Sequence, residues 1–259
     1  MAKDNSTLSS LLSPLKEDSS LSSPLSPLQE DSTLSSLLSP LKKDSTLYSL
    51  VSTLIKRIPR LEPCCEDIRQ AYDLLERTFA AKGKLLVCGN GGSASDSEHI
   101  VGELMKEFKL KRKVFTSQAE AMKAIDPEMG ATLAEHLQGA LPAITLTAHS
   151  SLTTAFMNDS EPQLVFAQQV NGYGQPGDML LGISTSGNSR NVLYAAITAK
   201  AKGLHVIGLT GEHPSRLSQL ADVCIRVPET ETYKIQELHL PVYHCLCMML
   251  EEHFFASHL

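Results

Sequence analysis

The sequence predicts an α/β fold: a doubly wound parallel sheet with helices on both faces. From about Tyr48 onwards, short apolar segments alternate with longer segments of helical periodicity, which is typical of βαβ units. The apolar segments are those of strands buried on both faces, as in parallel sheets. The chain has 259 residues, of which 42% are apolar, so it is long enough for one substantial domain and additional segments.

The first 47 residues form a low-complexity tail with a 13-residue repeat, whose period is marked by Asp18, Asp31 and Asp44. Each copy places Asp-Ser before a leucine-rich stretch, which resembles a helix cap. The prolines of the first three copies, however, would end a helix within about two turns. We therefore predict that residues 1–47 are a disordered tail without a catalytic role. The alternative is a helical arm that docks its leucines on a partner.

The elements of the remaining domain, residues 48–259, are predicted in a regular order. Two helices come first, and the second ends at Gly83, a residue type that is common just past a helix C-terminus. A helix following the first strand is predicted to reach about Phe108, and another begins near Arg190. Residues 111–139 are polar and helix-prone, and we interpret them as an insertion before the second strand. The strands are predicted at 84–89, 140–147, 178–184, 203–210 and 223–228.

Composition excludes several classes of protein. The net charge of -6 argues against a nucleic-acid-binding surface. No run of 18 apolar residues exists and the N-terminus lacks the apolar core of a signal peptide, so we expect neither a membrane partner nor export, and a cytoplasmic location. The six cysteines show no metal-type spacing, and we predict that they are reduced and mostly structural.

The first glycine-rich loop, CGNGGS at 88–93, follows a strand and opens a helix. Exposed backbone N–H groups and the helix dipole favour an anion or a polar oxygen at such a place. Glycine loops of this kind are equally common as plain tight turns. The loop lacks the lysine of a Walker sequence and the GxGxxG order of a dinucleotide site, so nucleotide binding is disfavoured.

The second loop, GISTSGNS at 182–189, has the same placement. Its hydroxyl side chains can surround a phosphate while the N-terminus of the following helix supplies amides and a positive dipole end. Four hydroxyls in six residues exceed what a helix cap requires, and we predict a phosphate site. Both loops lie at the carboxyl ends of parallel strands, where open α/β sheets bind ligands. The four hydroxyl residues are Ser184, Thr185, Ser186 and Ser189.

Four residues are candidate metal ligands. His99 and Glu103 lie four apart on the first-loop helix and share one face. Gln236 and His244 lie eight apart near the C-terminus, within reach of a common face if their helix is continuous. A mixed nitrogen and oxygen set suits Zn²⁺ or a similar ion. The alternative at this point is that the His99–Glu103 pair is an ordinary solvated hydrogen bond; His239 shows that this region also holds histidines without a proposed role.

The order CGNGGS, D-x-x-H-x-x-x-E, STSGNS and Q-x-x-H-x-x-x-x-H resembles the sugar isomerase (SIS) domain and, within it, the phosphoheptose isomerase family. The resemblance extends over about 50–255 without 111–139. It implies a SIS-type, flavodoxin-like three-layer sandwich. It also implies an aldose–ketose isomerase that converts the sugar phosphate sedoheptulose 7-phosphate to D-glycero-D-manno-heptose 7-phosphate by enediol proton transfer.

The resemblance further implies the roles of particular residues. One zinc ion is expected on His99, Glu103, Gln236 and His244, and Glu103 and His244 are expected to be catalytic. The metal and acid/base roles of these two residues compete, and the sequence leaves both open. The substrate-binding residues carried over are Asn90, Gly91, Gly92, Ser93, Asn158, Asp159, Ser184, Thr185, Ser186, Ser189 and Gln236.

SIS domains resemble one another in pairing helices across subunits, which implies a homotetramer with sites at subunit contacts. The apolar stretches LVSTLI and LCMMLEEHFF are predicted to supply surfaces that one domain does not bury. The alternative to an enzyme is a non-catalytic SIS protein of the replication-initiator-associating type, which binds a phosphosugar or a protein. Such a protein can lose the equivalents of Glu103 or His244, whereas this chain keeps them.

Two features depart from the family's pattern. The insertion at 111–139 is longer than that pattern requires, so we expect it to affect the sugar end of the pocket. Pro241 lies between Gln236 and His244, and a proline inside a helix removes a hydrogen bond and is expected to kink it.

Overall fold

The computed structural model describes residues 45–256, without the side chains of Ser45 and Tyr48. The first helix begins at Ser45, three residues before the predicted start of the domain. Leu47 on this helix is buried in the core, so the end of the repeat region contributes to the domain. The rest of the predicted tail, residues 1–44, lies outside the described residues.

Helices and strands alternate along the described chain, with short 3-10 helices at Pro59–Cys64 and Pro162–Leu164. In chain order, the elements are α1 (Ser45–Arg57), α2 (Cys65–Ala80), β1 (Leu85–Cys88), α3 (Gly92–Met105), α4 (Thr116–Ile125), α5 (Pro127–His136), β2 (Ala143–Thr145), α6 (Ser150–Asp159), α7 (Val165–Tyr173), β3 (Met179–Ile183), α8 (Arg190–Ala201), β4 (His205–Thr210), α9 (Arg216–Leu220), β5 (Val223–Arg226) and α10 (Thr232–Phe255).

The five strands form one parallel sheet in the order β2-β1-β3-β4-β5. In the centre, Leu86 of β1 is paired with Ile144 of β2 on one side and with Leu180 of β3 on the other. The chain therefore runs outwards from β1 to β2 and returns past β1 to β3. This reversal between β1 and β3 is the topological switch point at which doubly wound sheets bind ligands, and the predicted fold class is confirmed.

Two hydrophobic cores lie on opposite faces of the sheet. Leu85 and Val87 of β1 belong to the core shared with α1, α2 and α10, whereas Leu86 and Cys88 belong to the core shared with α7 and α8. Because successive strand side chains point to opposite faces, burial on both faces explains why this strand is apolar at consecutive positions. The helix–sheet–helix sandwich is thus the arrangement that the strand sequences require.

The two apolar stretches predicted to remain exposed for subunit contacts are buried within the chain. Val51 and Leu54 of α1 belong to the first core, as do Met249 and Leu250 of α10. The prediction about these two surfaces was therefore wrong. Helices at the two ends of the domain can cover each other because α1 packs against α10.

The predicted insertion forms a helical hairpin of α4 and α5. Asp126 caps α5 by accepting hydrogen bonds from the backbone N–H groups of Glu128 and Met129. The hairpin is tightly closed: a Cβ atom on Gly130 would lie 2.3 Å from the Met122 carbonyl oxygen. Apart from Gly130, neither helix buries a residue, and Ile125 is 87% exposed. The predicted helical character is confirmed, but the hairpin presents apolar side chains to solvent.

No helix within residues 45–256 has the length and apolar character needed to cross a membrane. All six cysteines lie in this part of the chain and are free. Burial raises the pKa of the Cys88 thiol to about 12, so the thiol stays protonated and behaves as a small apolar side chain. The predicted structural role of the cysteines agrees with this burial.

We predict that His239 makes folding sensitive to acid. Its ring is buried, with Nε2 3.3 Å from the Thr210 carbonyl oxygen and Nδ1 without a partner, and burial lowers its pKa to about 4. Between pH 6.5 and 4 the unfolded chain binds a proton here that the folded chain does not. Stability is therefore retained above pH 6.5 and lost as the pH falls, by about 2–3 kcal/mol near pH 4.5.

The measurement is urea unfolding at pH 7 and pH 4.5. Replacing His239 with Gln should remove this part of the pH dependence, whereas replacing the exposed His136 with Gln should leave it unchanged. Equal pH dependence in the wild type and in His239→Gln would contradict the prediction.

Candidate active site

The two predicted ligand loops lie side by side because β1 and β3 are paired. Asn90 of the first loop and Asn191 of α8 exchange amide hydrogen bonds of 2.9 and 2.8 Å across the gap. The sequence analysis did not identify Asn191, which lies two residues after the STSGNS loop. The reciprocal pair holds the two loops at a fixed spacing at the carboxyl edge of the sheet.

The second loop has a shape that its sequence requires. Gly187 has a φ of +63°, and a Cβ atom there would lie 2.1 Å from the Ser215 hydroxyl oxygen, so only glycine fits. The buried Ser184 and the half-buried Ser189 share a hydrogen bond of 3.0 Å. The loop ends at the N-terminus of α8, where backbone amides favour an anion.

Thr185 and Ser186 of this loop line a cavity of about 270 Å³. Glu212 and Glu229 also line it, and Arg60 forms an ion pair with Glu229. The four predicted hydroxyl residues are therefore divided, since two face the cavity and two bond to each other. The predicted phosphate site at this place stays a prediction.

His99 and Glu103 lie on one face of α3, as predicted. The His99 Nε2 atom is 3.1 Å from Glu103 Oε1, and Lys106 Nζ is 3.4 Å from Glu103 Oε2. The His244 ring of α10 meets the His99 ring edge to face, with centroids 4.9 Å apart. Burial and the neighbouring His99 lower the pKa of His244, which favours its neutral form. The structure thus brings together three of the four predicted ligands.

Gln236 approaches the first loop from α10. A Cβ atom on Gly92 would lie 2.7 Å from Gln236 Nε2, so the absence of a side chain at Gly92 makes room for this amide. The helix runs without interruption from Thr232 to Phe255 and includes the buried Pro241. The predicted condition for a shared ligand face, a continuous helix from Gln236 to His244, is met.

The four side chains fit a zinc ion in their chemistry. His244 Nε2 is a buried polar atom without a hydrogen-bond partner. Two ligand atoms on one tetrahedral zinc ion, each bound at about 2.0–2.2 Å, lie roughly 3.3 Å apart, close to the 3.1 Å between His99 and Glu103. The fit is limited to this pair and to the types of donor atom. Residues 45–256 contain no group of three or more His, Cys, Asp or Glu side chains already arranged around an ion position.

A second cavity, of about 290 Å³, opens beside His244. Arg57 of α1 and Lys109 line it together with Phe108, whose ring centroid is 5.3 Å from that of His244. Arg57 adds to the lowered pKa of His244, after burial and His99, because its charge opposes a second positive charge nearby.

The structure does not join Asn158 and Asp159 to the other predicted residues. Both are exposed at the end of α6 and bond to each other, with Asn158 Nδ2 donating to Asp159 Oδ1 at 2.8 Å. Within the described chain, no side-chain hydrogen bond connects them to either loop. Their predicted sugar contacts stay a prediction. The remaining substrate residue of the first loop, Ser93, is buried in the first turn of α3.

A buried ion pair fixes the end of α3 against α10. Arg112 and Glu251 are 0% and 1% exposed and meet at 2.8 Å. The Arg112 guanidinium also donates to the carbonyl oxygens of Leu104 and Glu103, at 2.8 and 2.9 Å. Sequence reasoning missed this pair because Arg112 stands in the basic run KLKRK, which is typical of a solvated surface.

Comparison with known proteins places these residues in a family. A SIS domain model matches residues 116–211, which include the hairpin of α4 and α5 as well as the second loop, so the segment interpreted as an insertion lies largely within the matched domain. A phosphoheptose isomerase of Synechocystis sp. is 41% identical over 193 residues, which are 74% of this chain and 86% of that protein. The chain belongs to the phosphoheptose isomerase family. A relative of the same name from Helicobacter pylori is 39% identical over 194 residues, 75% of this chain and 88% of its own length.

Solved structures of family members agree with the fold. The phosphoheptose isomerase of Neisseria gonorrhoeae has a TM-score of 0.61 and 32% identity, covering 78% of this chain and 94% of its own. That of Francisella tularensis has a TM-score of 0.61 and 31% identity, covering 83% and 98%. Family membership makes the chain an isomerase, and the predicted resemblance is confirmed.

We predict that the buried ion pair is essential for stability. Replacing Glu251 with Gln leaves the Arg112 charge buried without a counter-charge, which should lower the free energy of unfolding by about 3–5 kcal/mol. Urea unfolding measures this loss. The matched control is Glu66→Gln, which breaks the surface pair with Arg69 and should cost less than about 1 kcal/mol. Similar losses in the two variants would contradict the prediction.

Proposed function

We propose that the chain converts sedoheptulose 7-phosphate to D-glycero-D-manno-heptose 7-phosphate. The observation that carries the proposal is the meeting of His99, Glu103 and His244 beside two coupled loops at the switch point of the sheet. An aldose–ketose isomerase needs a phosphate anchor and an acid/base site at a set spacing, and this edge offers both. The relatives of the family support an enzyme rather than the non-catalytic alternative.

The phosphate is proposed to bind at the second loop. Thr185 and Ser186 line the cavity there, and the N-terminus of α8 contributes amides and a positive dipole end. Binding of this remote group orients the reactive end of the sugar, which turns binding energy into rate. The hydrogen bonds between Asn90 and Asn191 keep the second loop at a fixed distance from the first loop, which precedes α3.

The reaction moves a proton between C1 and C2 through an enediol, so it needs groups that accept and return protons. We assign these transfers to Glu103 and His244. The lowered pKa of His244 keeps its ring neutral near pH 7, so it can accept a proton. The Glu103 side chain is 13% exposed, and its Oε2 atom, beside Lys106, remains available when Oε1 faces His99.

Zinc is the proposed cofactor, held by His99, Glu103, Gln236 and His244. When bound, it would polarise the sugar carbonyl and stabilise negative oxygen. What supports it is the mixed donor set, the unpartnered His244 Nε2 and the His99–Glu103 spacing. Glu103 can serve both as a zinc ligand and as an acid/base group because its carboxylate has two oxygens, one for each role.

We also propose a homotetramer in the cytoplasm, with sites at subunit contacts. The exposed apolar side chains of the hairpin support self-association, since Ile125, Met129 and Leu133 are 87%, 69% and 44% exposed. A monomer would leave this hairpin stripe of Ile125, Met129 and Leu133 in water.

The proposed cytoplasmic location agrees with the six free cysteines, because free thiols are typical of a reducing compartment.

We predict that Glu103→Gln and His244→Asn each lower turnover of sedoheptulose 7-phosphate by roughly 10²- to 10⁴-fold, the usual contribution of a positioned acid or base. Ser186→Ala should instead raise KM with a small effect on kcat, because it removes a hydroxyl from the phosphate cavity. Aldose formation is followed with a panel of ketose phosphates, with added Zn²⁺ and after chelation.

Full activity of Glu103→Gln would overturn the assigned site. If no ketose phosphate is turned over while one still binds with micromolar affinity, the chain is the non-catalytic alternative. Unchanged activity after complete removal of zinc would refute the cofactor but leave the reaction standing.

We predict that light scattering finds a tetramer at micromolar concentration. A charge on the hairpin stripe, Met129→Glu, should reduce the mass because it places a carboxylate in an apolar contact. The control is Thr132→Glu on the same helix, also exposed but outside the apolar set, which should keep the wild-type mass. A monomeric wild-type protein would refute the proposed assembly.

A further inference from the structure

A tyrosine beside the candidate metal site links the two helices that carry the ligands. Tyr243 of α10 is 2% exposed. Its hydroxyl oxygen lies 2.9 Å from His99 Nδ1 and 3.2 Å from Asp96 Oδ1. Both partners are on α3, so this one hydroxyl joins the ligand pair of α3 to the helix turn that holds His244.

The direction of these hydrogen bonds follows from counting protons. A phenol has one proton to donate, whereas a carboxylate oxygen only accepts. Asp96 therefore accepts a hydrogen bond from the Tyr243 hydroxyl. Its other oxygen, Oδ2, is buried without a partner among residues 45–256, so the tyrosine is the side-chain donor on which this carboxylate depends. The Tyr243 oxygen then accepts from His99, which requires the proton of a neutral His99 ring to be on Nδ1.

This arrangement determines what the other ring nitrogen can do. With the proton on Nδ1, Nε2 carries a lone pair, and it lies 3.1 Å from Glu103 Oε1. Two acceptors facing each other at this distance repel unless a proton or a cation lies between them. The hydrogen-bonded chain from Asp96 through Tyr243 to His99 thus leaves two lone pairs directed at one small space.

We propose that Tyr243 is a positioning residue: it holds His99 in the Nδ1–H tautomer and so presents Nε2, together with Glu103, to a divalent cation. The proposal about the cation rests on the proposed function, whereas the tautomer follows from the hydrogen bonds alone. Metal-binding histidines are commonly oriented by a partner on the second ring nitrogen. Here that partner is a phenol that donates its own hydrogen bond to the half-buried Asp96 carboxylate.

The proposal explains why a tyrosine, rather than an apolar residue, precedes His244 in a core position. Its ring packs edge-on against the His99 and His244 rings, with centroids 5.5 and 5.0 Å away, and phenylalanine would supply the same packing. Only the hydroxyl orients the imidazole. Tyr243→Phe therefore separates the packing of the ring from its hydrogen bonds.

The first measurement is zinc affinity of the full-length protein, by competition with a chelator. Tyr243→Phe should weaken zinc binding about 10- to 100-fold, as for other losses of a ligand's hydrogen-bond partner. The matched control is Tyr72→Phe, which removes the Tyr72 hydroxyl from His253 Nδ1, 3.1 Å away on the same α10, and should keep wild-type affinity. Equal zinc affinity in wild type and Tyr243→Phe would overturn the positioning role.

The second measurement is the tautomer of His99 in the metal-free, full-length protein, from ¹⁵N NMR with the His99→Gln variant for assignment. Wild type should show the Nδ1–H form, and Tyr243→Phe should lose that preference. An Nε2–H form in wild type would overturn the inference. If wild type binds no zinc but shows the Nδ1–H form, and Tyr243→Phe loses it, the inference about the tautomer is supported and the proposed cofactor is refuted.

Discussion

The candidate active site depends on the buried pair of Arg112 and Glu251, because this pair fixes the end of α3 against α10. The last carbonyl groups of a helix have no partner within it, and Arg112 satisfies two of them, on Glu103 and Leu104. Glu251 accepts from Arg112 and from the backbone N–H groups of Phe108 and Lys109. These hydrogen bonds hold the residues that follow α3 against α10, so the helix that carries Glu103 ends against the helix that carries His244.

The fold could be predicted from the sequence because strand burial is a local property. Strands buried on both faces are apolar at consecutive positions, and all five were placed within a few residues of their observed bounds. The largest error is β2, predicted at 140–147 and observed at Ala143–Thr145. Its flanking residues Leu141 and Leu146 are buried without belonging to the strand, and apolar character alone cannot distinguish core contact from strand pairing.

The site was predicted less completely, for a related reason. Spacing identified His99 with Glu103 and, on the C-terminal helix, Gln236 with His244, and the family resemblance then implied one shared ligand set. The residues that position these groups are partners over long sequence distances, such as Tyr243 with Asp96 and Asn191 with Asn90. A pattern within one segment carries no sign of such contacts. Arg112 was the most misleading residue, since its neighbours in the sequence are exposed lysines.

The residues around the same ion pair also hold the base of the hairpin of α4 and α5. The base of the hairpin is closed where Lys113 and Gln138 form an antiparallel bridge and the Gly139 N–H group donates to the Arg112 carbonyl oxygen. Gln138 Oε1 also accepts from the Glu107 N–H group. Both ends of the hairpin are thus held by the residues that follow α3, and none of residues 114–136 lines either of the two cavities described above. The hairpin therefore does not line these two cavities within one chain, and its expected effect on the sugar end of the pocket stays a prediction.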